Sequence, residues 1–159
     1  MTFQADASSV TEAIIVMSRI FDAPREKVWE AFTTPEHVAR WFGGEGFTTP
    51  VCEMDVRPGG IWRHVMRAPN GMEFAMEYVF LEVVKPEKLV WQNVNHGKST
   101  GGPPTAMQTV TLEDLGDKTK WKLVARFNSI AERDMSVQMG FAMMVEVGCE
   151  RLNNVVKSL

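Results

Sequence analysis

Residues 21–42, FDAPREKVWEAFTTPEHVARWF, contain two predicted helix starts in close succession. Pro24 is followed by Glu26, and Pro35 is followed by Glu36. Proline suits the first helical position because its missing N–H would have no intrahelical partner there, and early glutamates favour the positive end of a helix. Neither helix is long enough to be stable alone in water. A larger element must therefore hold both of them.

The composition is that of one ordinary globular domain. The chain has 159 residues, of which 45% are hydrophobic and 23% are charged. This length and this balance allow one domain with a sizeable core. We predict a flexible, polar lead-in over residues 1–11 and a single domain over residues 12–159.

Charge and cysteine content narrow the class of protein. The net charge is −3 and no basic block is present, which argues against nucleic acid as a partner. No apolar run approaches the roughly 18 residues that a membrane span needs, and the N-terminal stretch MTFQADASSVTEA does not have the pattern of a secretion signal. Cys52 and Cys149 fit neither a disulfide framework nor a metal spacing. We therefore expect a cytoplasmic monomer or homodimer without a metal or other cofactor.

Seven strand-like runs occupy most of the remaining chain. Short turns rich in glycine and proline separate several of them, so that neighbouring strands should pair antiparallel. The predicted strands cover residues 13–21, 50–56, 60–68, 72–84, 88–95, 106–114 and 118–127. One face of such a sheet can be buried, and it needs a cover.

The last part of the chain supplies that cover. From about Ala131 the apolar residues change to a spacing of three and four, which is typical of a helix. Phe141, Val145, Leu152 and Val155 lie on its apolar stripe. We predict one long C-terminal helix across the sheet, with the two short helices acting as a clamp on its C-terminal end.

The combined layout resembles the helix-grip fold of the SRPBCC, or START and Bet v 1-like, superfamily. More narrowly, it is similar to the bacterial proteins named for homology to the activator of Hsp90 ATPase. The stretches that carry this resemblance are FDAPREKVWEAFTTPEHVARWF, EMDVRPGGIWRHVMRAPNGMEF, VVKPEKLVW and MVEVGCERLNNVV. The resemblance implies an α+β fold with a hydrophobic cavity between the sheet and the helix. It does not imply one reaction, because one fold supports many functions.

Strand alternation indicates which side chains line such a cavity. Alternate residues of a strand face the same side, and in several strands one side is apolar while the other is charged. The predicted lining is Trp62, His64, Met66, Phe74, Met76, Tyr78, Trp121, Leu123 and Ala125, with Met139 from the helix. The chain has 11 methionines, which suit either a soft core or a cavity wall that accepts variable shapes.

His64 and Tyr78 are the polar members of this set. A histidine there could donate or accept a proton, or it could be a core residue with its hydrogen bonds satisfied. Tyr78 could donate its hydroxyl to a ligand carbonyl, or its hydroxyl could reach the surface. Asp55, in the turn motif DVRPGG, has a local structural explanation beside Arg57.

The glycine-rich connections place the cavity mouth. Successive turns of a meander alternate between the two ends of the sheet, and the longer connections fall at one end. They are residues 43–49, 69–71, 96–105 and 128–130. Because mobile loops are common where ligands enter, we expect the mouth of the cavity at this end. The alternative is that these are long surface loops without a role in binding.

Three classes of function fit these observations. The leading interpretation is binding of a small hydrophobic or aromatic ligand, since such sites are mostly apolar with a few placed polar groups. The second is an enzyme of the cyclase, dehydratase or hydrolase type acting on a polyketide-like or aromatic molecule, with catalytic residues unknown. The weakest is a chaperone-related interaction module.

Overall fold

The computed structural model describes residues 13–43, 46–96 and 104–159 of the chain. The predicted lead-in over residues 1–11 lies outside these ranges, and so do residues 97–103 of the long connection. The limits of the single domain therefore stay a prediction.

Two short helices follow the first strand, as predicted. The elements are β1 (Ile14–Phe21), α1 (Arg25–Thr33) and α2 (Pro35–Trp41). Between the helices Thr34 is extended, with φ −101° and ψ 118°, because a following proline disfavours the helical conformation. The Thr34 N–H still donates to the Glu30 carbonyl at 3.0 Å, and the Thr34 carbonyl accepts from the Val38 N–H at 2.9 Å. One residue thus ends α1 and begins α2.

The described residues form one antiparallel sheet of seven strands, which confirms the predicted fold class. The further strands are β2 (Thr48–Met54), β3 (Ile61–Arg67), β4 (Glu73–Val84), β5 (Lys88–Asn93), β6 (Met107–Asp114) and β7 (Thr119–Arg126). Their order is β1-β7-β6-β5-β4-β3-β2. Consecutive strands from β2 to β7 are therefore neighbours, and β1 adds to the edge beside β7.

The C-terminal helix is interrupted, which corrects the prediction of one helix beginning near Ala131. The structure has α3 (Ile130–Gln138) and α4 (Phe141–Lys157). Gly140, which precedes α4, has φ 90°, in the left-handed region that a helix does not continue through. Apolar residues keep helical spacing on both sides, so that the sequence pattern alone did not reveal the break.

The second half of α4 packs against the sheet and both short helices. One buried cluster joins residues of the sheet and of α4, among them Met17, Phe21, Trp121, Leu152, Val155 and Val156. Gly148 lies against α2, since a Cβ there would be 3.4 Å from the backbone oxygen of Trp41. In addition, Lys27 of α1 donates through Nζ to the backbone oxygen of Leu159 at 3.0 Å. This arrangement agrees with the predicted clamp.

Candidate functional site

A cavity of about 700 Å³ lies between the sheet and the C-terminal helices. The strands β3 to β7 form one wall, and α3 together with residues 141–152 of α4 forms the other. The short helices contribute Phe32 and Trp41, and Phe42 follows α2 at the same edge.

The structure places seven of the ten predicted residues in this wall. They are Met66, Phe74, Met76, Tyr78, Trp121, Leu123 and Met139. In β7 the lining residues Trp121 and Leu123 alternate along the strand, as the pleat requires. In β4 the wall also includes Glu73 and Ala75, which point to the other face near the start of the strand. Met139 lies at the break between α3 and α4, and 60% of its surface is exposed.

Trp62, His64 and Ala125 do not line the cavity, which corrects the prediction for these three residues. Phe42 covers Trp62 and His64, since its ring centroid lies 5.3 Å from that of Trp62 and 4.4 Å from that of His64. Ala125 is fully buried, and it pairs in register with Ile15 on one side and Gln108 on the other. Its methyl group is shorter than either neighbouring side chain and does not reach the cavity.

His64 is a buried core residue with defined hydrogen bonds. The Trp62 indole N–H donates to its Nδ1 at 3.3 Å, and its Nε2 lies 3.5 Å from Thr49 Oγ1. Burial lowers the pKa of His64 to about 4, because the charged imidazolium would lose its hydration. At neutral pH the ring is therefore uncharged.

Tyr78 lies in the cavity wall with its hydroxyl in the interior. The hydroxyl donates to the Met76 sulfur at 3.1 Å, and only 8% of the residue is exposed. A thioether is a weak acceptor, so this donor has capacity for a better partner. Burial raises the pKa of Tyr78, so that the phenol keeps its proton at neutral pH.

Residues in or beside three of the connections predicted for the mouth belong to the cavity wall. Phe74 is 44% exposed there, and Gly43, Asn95 and Thr105 also belong to this part of the wall. Residues 44–45 and 97–103 of the predicted mouth loops lie outside the described ranges. The wall does not include residues 128–130, which corrects that part of the prediction, whereas it does include Gly140 at the break between α3 and α4.

Several wall residues were not predicted from the sequence. They are Trp91 and Asn93 of β5, Gln108 of β6, Ser136 of α3 and Phe141 of α4. Alternation could have identified the first three, because Asn93 shares a strand face with Trp91, and Gln108 shares one with Val110. A polar residue on an otherwise apolar strand face is a visible signal.

Neither cysteine is set up as a reactive thiolate. Cys52 and Cys149 are both free, and burial raises their pKa values to about 11 and about 12. In the described part of the chain, no group of three or more His, Cys, Asp or Glu residues could hold a metal ion. Among the same residues, no helix is long and apolar enough to cross a membrane.

Comparison with known proteins gives a match to one family model and to solved structures of the same fold. The family model described as "Activator of Hsp90 ATPase homolog 1-like protein" matches residues 22–156. A crystal structure of a Nitrosomonas europaea protein is 26% identical, with a TM-score of 0.84 over 96% of this chain and 97% of that one. No curated protein matches the chain.

Two further solved structures show the same fold at lower identity. A solution structure from Arthrobacter aurescens is 21% identical, with a TM-score of 0.84, and covers 100% of this chain and 92% of that one. A Mycobacterium smegmatis crystal structure is 17% identical, with a TM-score of 0.82, and covers 98% of this chain and 95% of that one. At these identities the likeness concerns the fold alone.

Proposed function

Given that the chain belongs to the activator of Hsp90 ATPase homolog 1-like family, we propose that it binds a small hydrophobic or aromatic molecule between the sheet and α4. The cavity itself carries this proposal. Its volume of about 700 Å³ falls within the range of roughly 300 to 1,000 Å³ that is typical of small-molecule sites. The cytoplasmic location and the choice between monomer and homodimer stay predictions.

The character of the wall supports an apolar ligand of variable shape. Four methionines line it, namely Met66, Met76, Met139 and Met144, beside the aromatic rings of Trp41 and Phe141. Methionine adapts its three rotatable bonds to different ligands. Removing apolar area from water contributes about 25 cal/mol per Å² before the costs of association. A ligand that buries about 300 Å² therefore gains about 7.5 kcal/mol from this term, and the costs of association are subtracted from that gain.

The enzymatic alternative receives less support from the polar groups. His64 lies behind Phe42 and bonds to Trp62, while Tyr78 bonds to Met76. The two candidate acid–base groups thus have separate hydrogen-bond partners. At neutral pH His64 is uncharged and Tyr78 keeps its proton. Binding without turnover accounts for this arrangement more simply.

The test is binding of N-phenyl-1-naphthylamine, a neutral probe whose fluorescence rises in apolar surroundings. Val145→Trp places a large ring in the cavity wall, whereas Met143→Trp adds the same ring at a 70%-exposed position of α4 outside the wall. We expect Val145→Trp to weaken binding by at least about tenfold, equivalent to 1.4 kcal/mol, and Met143→Trp to leave it unchanged.

Circular dichroism would check that both variants are folded. Equal affinity of folded Val145→Trp and wild type would place the probe elsewhere and contradict the proposal. Absence of any binding to the wild-type protein would contradict it as well.

A further inference from the structure

Three polar side chains lie side by side on the sheet at the cavity. Tyr78 of β4 is directly opposite Asn93 of β5, and Gln108 of β6 is directly opposite Trp91, two residues before Asn93. All four residues belong to the cavity wall. Residues in diagonal positions on adjacent strands lie about 7 to 8 Å apart, within reach of long side chains. Tyr78, Asn93 and Gln108, here named the polar strip, therefore form one group across three strands.

The polar strip has hydrogen-bonding capacity that the described residues do not use. Gln108 makes no side-chain hydrogen bond to them, and Asn93 uses only its oxygen, which accepts from the Asn95 N–H at 2.8 Å. The Tyr78 hydroxyl has only the weak thioether of Met76. Beside Gln108, the buried indole N–H of Trp91 has no acceptor among the described residues. Donors thus exceed acceptors in this part of the wall, and buried donors normally find a partner.

The scarcity of charged groups in the described part of the wall also favours an uncharged ligand. In the described part of the wall the only ionisable group that is charged at neutral pH is Glu73, which is exposed and pairs with Arg67 at 2.6 Å. An ionised ligand head in the cavity would lose its hydration without gaining a counter-charge, which is costly in either sign. A neutral oxygen would lose much less hydration free energy, and it would accept hydrogen bonds from the unused donors of the wall.

We propose that the ligand of this cavity is a neutral aromatic molecule with a carbonyl or hydroxyl oxygen, which the polar strip of Tyr78, Asn93 and Gln108 binds. This inference rests on the proposed function and narrows it to one class of ligand. The oxygen accepts from the Gln108 and Asn93 amides and from the Tyr78 hydroxyl. The apolar rest of the molecule contacts the methionine and aromatic wall.

Displacement of N-phenyl-1-naphthylamine by naphthalene derivatives of one shape tests the ligand class. The set is 2-acetylnaphthalene, its hydrocarbon counterpart 2-isopropenylnaphthalene, 2-naphthoate and protonated 2-naphthylmethylamine. We expect 2-acetylnaphthalene to bind at least about tenfold more tightly than either ion. An ion that binds as tightly as the ketone would overturn the proposal.

Variants of the polar strip test its role directly. The quantity to compare is the ratio of the dissociation constants of 2-isopropenylnaphthalene and 2-acetylnaphthalene, which cancels differences in apolar contact. Gln108→Leu should lower this ratio by about three- to tenfold, the scale of one hydrogen bond. Gln92→Leu is the matched control, since Gln92 is also a half-buried glutamine on a middle strand but does not line the cavity. It should leave the ratio unchanged.

A second variant of the polar strip provides an independent test, so that the conclusion does not depend on Gln108→Leu alone. Tyr78→Phe removes only the hydroxyl and should also lower the ratio. If neither variant changes the ratio by more than about twofold, the polar strip does not bind the oxygen. In that outcome the proposed function still stands, provided that the probe binds the wild-type protein and that Val145→Trp weakens this binding. Failure of the probe to bind at all contradicts the proposed function instead.

Discussion

The indole N–H of Trp62 donates to Nδ1 of His64 at 3.3 Å, and this bond determines the tautomer of the histidine. Because Nδ1 accepts, the single proton of the neutral ring is on Nε2, from which it can point to Thr49 Oγ1 at 3.5 Å. A second proton would have to lie on Nδ1, facing the indole N–H. The bond and the burial of the ring therefore both favour the neutral form.

The first prediction follows from this depressed pKa. The pKa of His64 is about 4 in the folded protein, against an ordinary value of 6.5. Between these values the unfolded chain binds more protons than the folded one, so the stability from His64 is full above pH 6.5 and falls as the pH drops towards 4. We expect a loss of about 3 kcal/mol over this interval from His64.

Urea denaturation at pH 7 and pH 4 measures this loss. His64→Gln should reduce the difference between the two conditions by about 3 kcal/mol. An NMR titration that places the His64 pKa near its ordinary value would contradict the prediction.

Much of the fold could be predicted from the sequence because its signals are local. Strand-like runs between glycine- and proline-rich turns located the strands, and the two prolines located the short helices beside Thr34. The break at Gly140 was missed because the apolar spacing continues through it, and a glycine inside a helical pattern does not reveal its backbone angle. Only the positive φ in the folded chain shows the interruption.

The candidate site was less predictable because it depends on contacts between distant parts of the chain. Alternation shows that His64 faces inward, but not whether the space in front of it is open. Phe42, which fills that space, comes from the end of α2. Asn93 and Gln108 differ in this respect, since alternation alone places each of them on a strand face with an apolar neighbour, Trp91 or Val110.

The second prediction concerns the contact between α2 and the core. The Trp41 indole N–H donates to the Ala31 carbonyl at 2.8 Å, and the ring lies 4.6 Å from that of Phe32. Trp41→Ala should lower the free energy of unfolding by about 3 to 5 kcal/mol, as for other buried aromatic residues. Trp41→Phe should cost less, because a ring still fills most of the space. Denaturant melts compare the two, and a loss below about 0.5 kcal/mol for Trp41→Ala would contradict the buried position.

The third prediction concerns the turn between β2 and β3. A Cβ on Gly60 would lie 1.9 Å from the backbone oxygen of Asp55, a distance that the backbone can relieve only by moving. Gly60→Ala should therefore destabilise the protein by about 3 kcal/mol or more. Gly59→Asn is the control, because Gly59 has φ 82° and open space around it, and asparagine tolerates that conformation. Thermal melts in which the two variants lose equal stability would contradict this steric explanation.

The last prediction tests whether the break between α3 and α4 shapes the cavity. Gly140 has φ 90° and no atom near its missing Cβ, so Gly140→Ala adds strain of about 1 to 2 kcal/mol without a clash. Alanine also favours joining the two helices, which would move Met139 and Phe141, the wall residues on either side. Gly116→Ala is a matched control, since Gly116 has φ 85° and open space, in a turn that does not line the cavity. Both variants should lose similar stability in urea, but only Gly140→Ala should weaken binding of N-phenyl-1-naphthylamine. Equal affinities in the two variants would mean that the break does not control the shape of the cavity.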